Sequence, residues 1–290
     1  QAQGAETMNG NTQKKSLRAD PFSLVMRVLV WGAALLTAGV LLALIAYILI
    51  RGVPNLKRSL FELEYNSENV SMFPSVVMTI YMTVLTLIIT TPLGIGCAIY
   101  LTEYAKRGNK VVEVIRLAAE TLSGIPSIVY GLFGMLFFVT ALQWKNSILA
   151  GSCTLAIMVL PLIIRSTEEA LKSVPDSYRE ASFGLGAGKL RTVVRVVLPP
   201  AMPGIVAGVI LAVGRIVGET AALIYTAGTV AKITINPMES ARTLAVHMYA
   251  LSSEGLHTNE AFATGVVLLL VVLMLNATSN AIAKRITKGK

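Results

Sequence analysis

The chain has 290 residues, of which 54% are hydrophobic and only 14% are charged. Soluble globular domains carry about 25% charged residues, so this composition excludes an ordinary soluble protein and indicates one that lies in a membrane. The formal net charge of +9 has two explanations, nucleic-acid binding or membrane orientation, and the positions of the basic residues decide between them.

Six long apolar runs predict membrane-spanning helices, since about 18 apolar residues are enough to cross a bilayer. The runs are Val28–Ile50, Val76–Leu101, Thr121–Trp144, Ile148–Ile164, Ala201–Val230 and Ala261–Ala283. The predicted fold class is therefore an all-α polytopic membrane protein with six transmembrane helices. The first run is too long for the core of a signal peptide and is interpreted as a retained span. Residues 1–24 predict a mobile cytoplasmic tail, residues 25–285 the membrane domain, and residues 286–290 a basic tail.

The basic residues are distributed unequally between the two sides of the membrane that six spans define. Of the 25 Lys and Arg residues, 18 fall on the side of the two termini, six on the other side and one inside a span. Cytoplasmic loops are enriched in Lys and Arg, so both termini are predicted to be cytoplasmic. The basic excess thus orients the protein, and no aromatic–basic interleaving supports a nucleic-acid partner.

The cysteines and histidines do not form a recognisable metal site. Cys97 and Cys153 lie inside apolar runs and are interpreted as small core residues. His247 and His257 fall in the predicted outer loop 232–260, ten residues apart, and are interpreted as solvated loop residues.

Two other polar connections have ordinary interpretations. Residues 51–75 predict an outer connecting loop, with contact to an external partner as the alternative, and residues 102–120 predict an inner connection of mixed charge.

The longest inner connection, Arg165–Pro200, predicts a short helix–turn–helix. Pro175 disfavours helix at the residue before it, and Asp176 suits the N-cap of a second helix that begins at Ser177. Tyr178, Ala181 and Leu185 would share one face of that helix. The glycines after it would end the helix and allow a sharp reversal; they are Gly184, Gly186 and Gly188.

The glycines of this connection do not form a phosphate-binding loop. Such a loop needs glycine where Phe183 stands, and Ser or Thr where Leu190 stands. The chain is therefore expected to bind no nucleotide and no other cofactor.

The same connection resembles the cytoplasmic coupling loop of bacterial ABC-importer permeases. That loop has Glu-Ala-Ala, three residues, Gly, nine residues and Ile-x-Leu-Pro, and here Glu180, Gly186 and Pro199 stand at the matching positions. Ser182 and Val196 are conservative departures. The resemblance implies a type I ABC-importer permease fold, and implies that Tyr178, Glu180, Ala181 and Gly186 form the contact with a separate ATPase. The alternative is a solvated helix–turn–helix without a partner.

Arg215 and Glu219 are charged residues inside the fifth apolar run. A charge at mid-membrane costs roughly 2.5–3.5 kcal/mol on insertion scales, so it usually faces a cavity or a partner. A spacing of four residues lets both side chains project from one helix face and pair. Two readings stay open, a structural salt bridge and an arginine that faces an anion and is tuned by the carboxylate.

The fifth run has two further features. Gly204 with Gly208, and Gly214 with Gly218, are small-residue pairs that allow close helix packing. The run is also long for one span, so it is expected to tilt or to break near Gly218.

The stretch Arg215–Ala221 resembles the Arg-x-x-Gly-Glu-Thr-Ala stretch of phosphate-importer permeases. Residues 99–104, 124–134 and 165–172 resemble that family too, and the chain is more similar to its PstA type than to its PstC type. This resemblance implies a substrate path with Arg215, Glu219 and Thr220. For Gly124–Gly134, plain helix packing and a gating role are left as alternatives.

The resemblance also implies the partners and the cellular location. They are a homologous permease of the PstC type, two ATPase subunits of the PstB type that bind ATP and Mg, an extracytoplasmic phosphate-binding protein of the PstS type, and membrane lipid. The expected function is that of a non-catalytic permease subunit in the bacterial cytoplasmic membrane. The alternatives are a permease for sulfate or molybdate and an ion-coupled secondary transporter.

Overall fold

The computed structural model describes residues 21–106 and 108–288, and within these ranges it contains helices and turns but no β-strand. The helices are α1 (Pro21–Gly52), α2 (Phe73–Ile99), α3 (Lys110–Ser123), α4 (Ser127–Gly134), α5 (Ile148–Lys172), α6 (Asp176–Gly184), α7 (Lys189–Thr192), α8 (Leu198–Val217), α9 (Ala221–Thr226), α10 (Leu244–Glu254) and α11 (Thr258–Lys288). Three π-helical segments continue helices without a break; they are Tyr100–Tyr104, Met135–Ala141 and Val193–Val197. The predicted tail 1–24 lies almost entirely outside the described residues, as do the last two residues of the predicted tail 286–290.

Five helical segments in the described residues are long and apolar enough to cross a membrane. They are Leu24–Asn55, Phe73–Tyr104, Ile148–Lys172, Lys189–Val217 and Thr258–Ala281. A sixth span is present if α3 and the helix Ser127–Ala141 count as one, although they meet at 106°. The all-α polytopic class predicted from the sequence is confirmed.

The predicted third span, Thr121–Trp144, is wrong as a single straight helix. The chain turns between Ser123 and Ser127, because Gly124 weakens the helix and Pro126 disfavours helical backbone at Ile125. Most of the predicted inner connection 102–120 is helical as well, since α3 begins at Lys110, where the Asn109 side chain accepts a hydrogen bond from the Val111 N–H.

The chain divides into two units between Tyr47 and Ile48. The described part of the first unit, residues 21–47, is the larger part of α1, and the last turn of α1 belongs to the second unit. In the second unit α2, α5 and α8 pack side by side, and α4 packs on α9. Buried residues from these helices form the main core; they include Met78, Met82, Leu155, Met158, Ile163, Ala212, Ile216 and Leu223.

Small residues bring α5 and α8 close together. A Cβ atom on Gly204 would lie 2.7 Å from the Cβ of Ala170, and one on Gly208 would lie 1.9 Å from the Oγ of Ser166. This confirms close packing at the first glycine pair of the fifth run. The second pair does not serve that purpose within the described chain, where no other helix comes within 4 Å of a Cβ built on Gly214 or Gly218.

The predicted loops around α10 form a second, smaller core. Leu60, Val70 and Met72 from the segment before α2 pack with Leu244 and Leu251 of α10. Residues 51–75 are therefore part of the packed structure, and residues 232–260 contain a helix. The prediction that His247 is solvated is wrong, because it is fully buried in α10. His257 is partly exposed, and its Nδ1 lies 3.9 Å from the Glu260 carboxylate.

Candidate functional site

The cytoplasmic loop predicted from the sequence folds as a short helix that is closed by a glycine turn. Pro175 ends the path of α5 and takes the N-cap position of α6, so the helix starts at Asp176, one residue earlier than predicted. The Asp176 carboxylate in the first turn favours this start, because it interacts well with the positive end of the helix dipole. After α6 the backbone of Gly186 adopts φ +79°, and the Ala187 N–H donates to the Ser182 carbonyl.

This loop exposes four large apolar side chains. Tyr178 is 51% exposed, Phe183 47%, Leu185 89% and Leu190 68%. Glu180 and Ala181 are exposed as well. We call Tyr178, Phe183, Leu185 and Leu190 the loop patch. Several large exposed apolar side chains in one short polar connection favour a surface that binds a partner.

Gly186 serves the turn. A Cβ built on it would meet nothing within 4 Å in the described chain, so its positive φ, and no close approach inside this molecule, requires glycine there. The sequence analysis missed Phe183 and Leu190 as surface residues, although large apolar residues in a polar connection were the available signal.

Ser182, the residue that departs from the Glu-Ala-Ala pattern, has a structural role. It is buried, and its hydroxyl lies 2.8 Å from the hydroxyl of buried Thr192. A hydrogen bond between two buried hydroxyls satisfies both of them. Ser182 therefore fastens α6 to α7.

Arg179 connects the same loop to the membrane helices. Its guanidinium donates to both carboxylate oxygens of Glu103: Nη2 lies 2.7 Å from Oε1, and Nε lies 3.1 Å from Oε1 and 3.3 Å from Oε2. The two side chains are 14% and 8% exposed, respectively. No local sequence signal identifies this pair, because the two residues are 76 positions apart.

The structure separates Arg215 from Glu219. The helix α8 ends at Val217 and α9 begins at Ala221, which confirms the predicted break near Gly218. Within the described residues no ion pair joins Arg215 and Glu219. The predicted pairing across one helix face is therefore wrong. It assumed one helix through both residues, whereas α8 ends before Glu219. Instead, Glu219 is 9% exposed and its Oε1 accepts a hydrogen bond from the Ala222 N–H. Thr220 takes the N-cap position of α9.

Arg215 lines a cavity of about 430 Å³ between α3, α5 and α8. Two further arginines line it, Arg116 from α3 and Arg165 from α5, together with Glu120 and Glu168. Glu168 pairs with Arg116, and also with Lys172 at 2.8 Å. Arg165 forms an ion pair at 3.2 Å with Glu169, which is not one of the residues that line the cavity.

Arg215 has no ion pair with any other residue of the described ranges. A guanidinium stays charged and presents a planar set of donors that suits oxyanions, so this cavity has the chemistry of an anion site. Sequence reasoning found only Arg215, because Arg116 and Arg165 reach the cavity from helices distant in sequence.

The stretch Gly124–Gly134 serves helix packing in this structure. A Cβ on Gly131 would lie 2.8 Å from the Ala222 Cα, and one on Gly134 would lie 2.2 Å from the Thr154 Oγ1. The two glycines let α4 approach α9 and α5 closely. Of the two interpretations of this stretch, packing is the one that the contacts support.

Comparison with known proteins places these features in a family. The model of the family described as binding-protein-dependent transport system inner membrane component matches residues 90–289. A probable ABC transporter permease protein of Bacillus subtilis, YqgI, is 36% identical over 273 residues, which cover 88% of this chain and 92% of that protein. The phosphate transport system permease protein PstA of Yersinia pestis is 36% identical over 197 residues, 67% of this chain and 66% of PstA.

Two solved structures share the fold. A chain of the inward-facing MetNI methionine ABC transporter superposes with a TM-score of 0.59 at 20% identity, covering 84% of this chain and 98% of its own. A chain of a bacterial alginate ABC transporter, in complex with its pentasaccharide-bound periplasmic protein, gives a TM-score of 0.65 at 16% identity, covering 92% and 98%. At these identities the likeness concerns the fold alone.

Proposed function

We propose that this chain, which belongs to the family of binding-protein-dependent transport system inner membrane components, is the permease subunit of an ATP-driven importer of inorganic phosphate. That it is a multi-pass permease subunit of an ABC importer follows from the family and from its apolar helices. The choice of phosphate is supported by the relatives that are named PstA, which include the Yersinia pestis protein.

The observation that carries the choice of an anion is the cavity around Arg215. Three guanidinium groups line it against two carboxylates, and Arg215 has no ion pair among the residues that the structure describes. A hydrogen bond to a charged group contributes about 1.5–3 kcal/mol, so one arginine is enough for a transient site that also releases its ion. Glu219 and Thr220 lie at the break just beyond Arg215 and would border the path of the ion.

The loop patch would dock on an ATPase subunit. In this proposal two ATPase subunits of the PstB type bind ATP and Mg, and this chain binds neither. A homologous permease of the PstC type would complete the path, and an extracytoplasmic phosphate-binding protein of the PstS type would deliver the ion. Both termini would lie in the cytoplasm, on the side that carries most Lys and Arg residues. The transport path would open alternately to the two sides of the membrane.

The test is phosphate uptake by proteoliposomes that contain the whole complex. Arg215→Gln removes the charge and keeps much of the side chain, so we expect uptake to fall by about tenfold or more, since 1.4 kcal/mol corresponds to a factor of ten. Assembly and basal ATP hydrolysis should stay unchanged. The matched control is Arg58→Gln, an exposed arginine outside the cavity, and it should transport normally.

The same liposomes distinguish phosphate from other oxyanions. Unlabelled phosphate should compete with labelled phosphate, and sulfate and molybdate should not. Import of sulfate in place of phosphate would refute the proposed substrate, and normal uptake by Arg215→Gln would remove Arg215 from the path. Uptake that needs an ion gradient and no ATP would refute the ATP-driven mechanism.

A further inference from the structure

The Arg179 side chain is turned away from the surface that its neighbours on α6 present. Tyr178 and Glu180 are exposed, whereas the Arg179 side chain is only 14% exposed. It reaches Glu103, whose side chain is 8% exposed. A nearly buried guanidinium on a short surface helix needs a specific set of partners, because burying a charge is unfavourable unless it is paired and hydrogen-bonded.

Arg179 joins three separate elements through one guanidinium group. Besides Glu103, Nη1 donates to the Val174 carbonyl at 2.8 Å and Nη2 to the Leu171 carbonyl at 3.0 Å. Leu171 lies in the last turn of α5, where its carbonyl also accepts from the Val174 N–H, and Val174 lies two residues beyond the end of that helix. The hydrogen bond to Glu103 raises the pKa of Arg179 above its ordinary value, so the guanidinium stays charged.

Glu103 lies at one end of the second membrane span, and the other end of that span has an anchor too. The span runs from Phe73 to Tyr104. Near its start the Thr79 hydroxyl accepts a hydrogen bond from the Leu244 N–H, at the first residue of α10, at 2.8 Å. Thr79 and Glu103 are about 36 Å apart along a continuous helix at 1.5 Å per residue. One helix therefore connects the loop of α6 to α10 at the opposite end of the molecule's second unit.

We propose that the Arg179–Glu103 ion pair is a positioning device that transmits movement of α6 to the second membrane span and through it to α10. The inference rests on the proposed docking of α6 on an ATPase. A displaced α6 would pull on Glu103, and the span would carry the displacement to the Thr79–Leu244 contact. Arg179 acts through Glu103 and touches neither the transported ion nor the ATP.

The experiment uses the whole complex, with its partner permease, ATPase subunits and binding protein, in proteoliposomes. The variants are Arg179→Lys, Glu103→Gln and the two combined, and the readout is anion imported per ATP hydrolysed. We expect each single variant to lower this ratio about tenfold, since lysine lacks the planar fork and glutamine lacks the charge. The double variant should be no worse than either single one, because both changes break the same contact.

The matched control is Lys232→Gln. Lys232 is also in an ion pair, with Glu239, but the two side chains are 50% and 38% exposed and lie outside the cavity. Exposed pairs contribute little, so the control should keep the wild-type ratio. Uptake and ATP hydrolysis that fall together at a constant ratio, or effects of the two variants that add, would overturn the proposal in favour of a purely structural pair.

A second readout does not depend on which anion is carried. Tyr249 on α10 is 53% exposed, and Tyr249→Cys can be labelled with a membrane-impermeant maleimide. ATP should change the labelling rate in the otherwise wild-type complex and leave it unchanged in Arg179→Lys. A rate that ATP does not alter in the wild-type background, or that ATP alters equally in Arg179→Lys, would overturn the inference even where phosphate import holds. A normal response without phosphate uptake would refute only the proposed substrate.

Discussion

His247 is a buried base beside a buried cation. It is fully buried in α10, and its ring lies edge-on to the ring of Tyr65. The Arg242 guanidinium lies over the same tyrosine, with its Cζ 4.4 Å from the ring centroid. Burial, and then the charge of Arg242, lower the pKa of His247 from 6.5 to about 3. The folded protein therefore holds this imidazole neutral at every physiological pH.

Because of this environment, we expect His247 alone to make the folded protein less stable in acid. Between pH 6.5 and pH 3 the unfolded chain binds a proton at His247 that the folded chain does not, so the stability of the fold decreases as the pH falls. From pH 6 to pH 4.5 the loss is about 2 kcal/mol. His247→Gln should remove that part of the pH dependence, and thermal unfolding of the purified protein at the two pH values measures it.

His257→Gln is the control for the acid effect. His257 is partly exposed and lies near the Glu260 carboxylate, so its replacement should leave the acid limb of the unfolding curve in place. An acid limb of the same slope in His247→Gln and in the wild-type protein would show that His247 takes up its proton in the folded state.

At the scale of single residues, the sequence predicted where charged residues lie better than it predicted which residues they contact. It placed Arg215 in the membrane and found the break near Gly218, but it paired Arg215 with Glu219 by assuming an unbroken helix. In the fold Glu219 bonds the Ala222 N–H instead. The Arg179–Glu103 pair joins residues 76 positions apart, and spacing rules for a single helix do not reach that far.

The contact between α4 and α9 depends on the absence of a side chain at Gly131. An alanine Cβ there would lie 2.8 Å from the Ala222 Cα and 3.2 Å from the Ala221 carbonyl oxygen, both of them backbone atoms that cannot rotate away. We expect Gly131→Ala to destabilise the protein by about 1–3 kcal/mol, which is typical of overpacking. The midpoint of thermal unfolding in detergent would report it.

Gly96→Ala provides the comparison for this helix contact. A Cβ at Gly96 of α2 meets nothing within 4 Å in the described chain, and alanine favours helix over glycine by about 1 kcal/mol. This variant should be neutral or slightly stabilised. Equal unfolding midpoints for the two variants would mean that α4 and α9 move apart without loss.

Helices were predictable where local chemistry sets their ends. Pro175 fixed the start of α6 to within one residue, and the glycine pattern predicted the reversal that Gly186 makes with φ +79°. The bend between α3 and α4 was missed because an apolar run outweighed the signal of Gly124 and Pro126. The helix α10 was missed because the segment around it is polar, and its burial depends on packing with residues 51–75.

At the scale of the whole molecule, two unusual features occur in the same loop, an exposed apolar surface and a nearly buried ion pair. The loop patch is apolar and exposed, and Arg179 of the same loop ties α6 to the ends of two membrane helices. An exposed apolar surface on a mobile loop would bind a partner without moving the membrane helices. A surface held by a buried ion pair is suited to transmit force, which agrees with the proposed role as the docking site of an ATPase.

Leu185 is the residue through which this docking is best tested, since its side chain is 89% exposed. Leu185→Glu should leave the fold intact but place a charge in the interface. Loss of one buried leucine contact alone is worth about 1.5–3 kcal/mol, so the ATPase should bind about tenfold or more weakly. Co-purification of the ATPase with the tagged permease measures this.

Leu256→Glu is the control for the docking surface. Leu256 is 82% exposed and lies between α10 and α11, so this variant should retain the ATPase. Equal retention by both variants would mean that the loop patch is not the docking surface, and the force would then have to enter the membrane helices elsewhere.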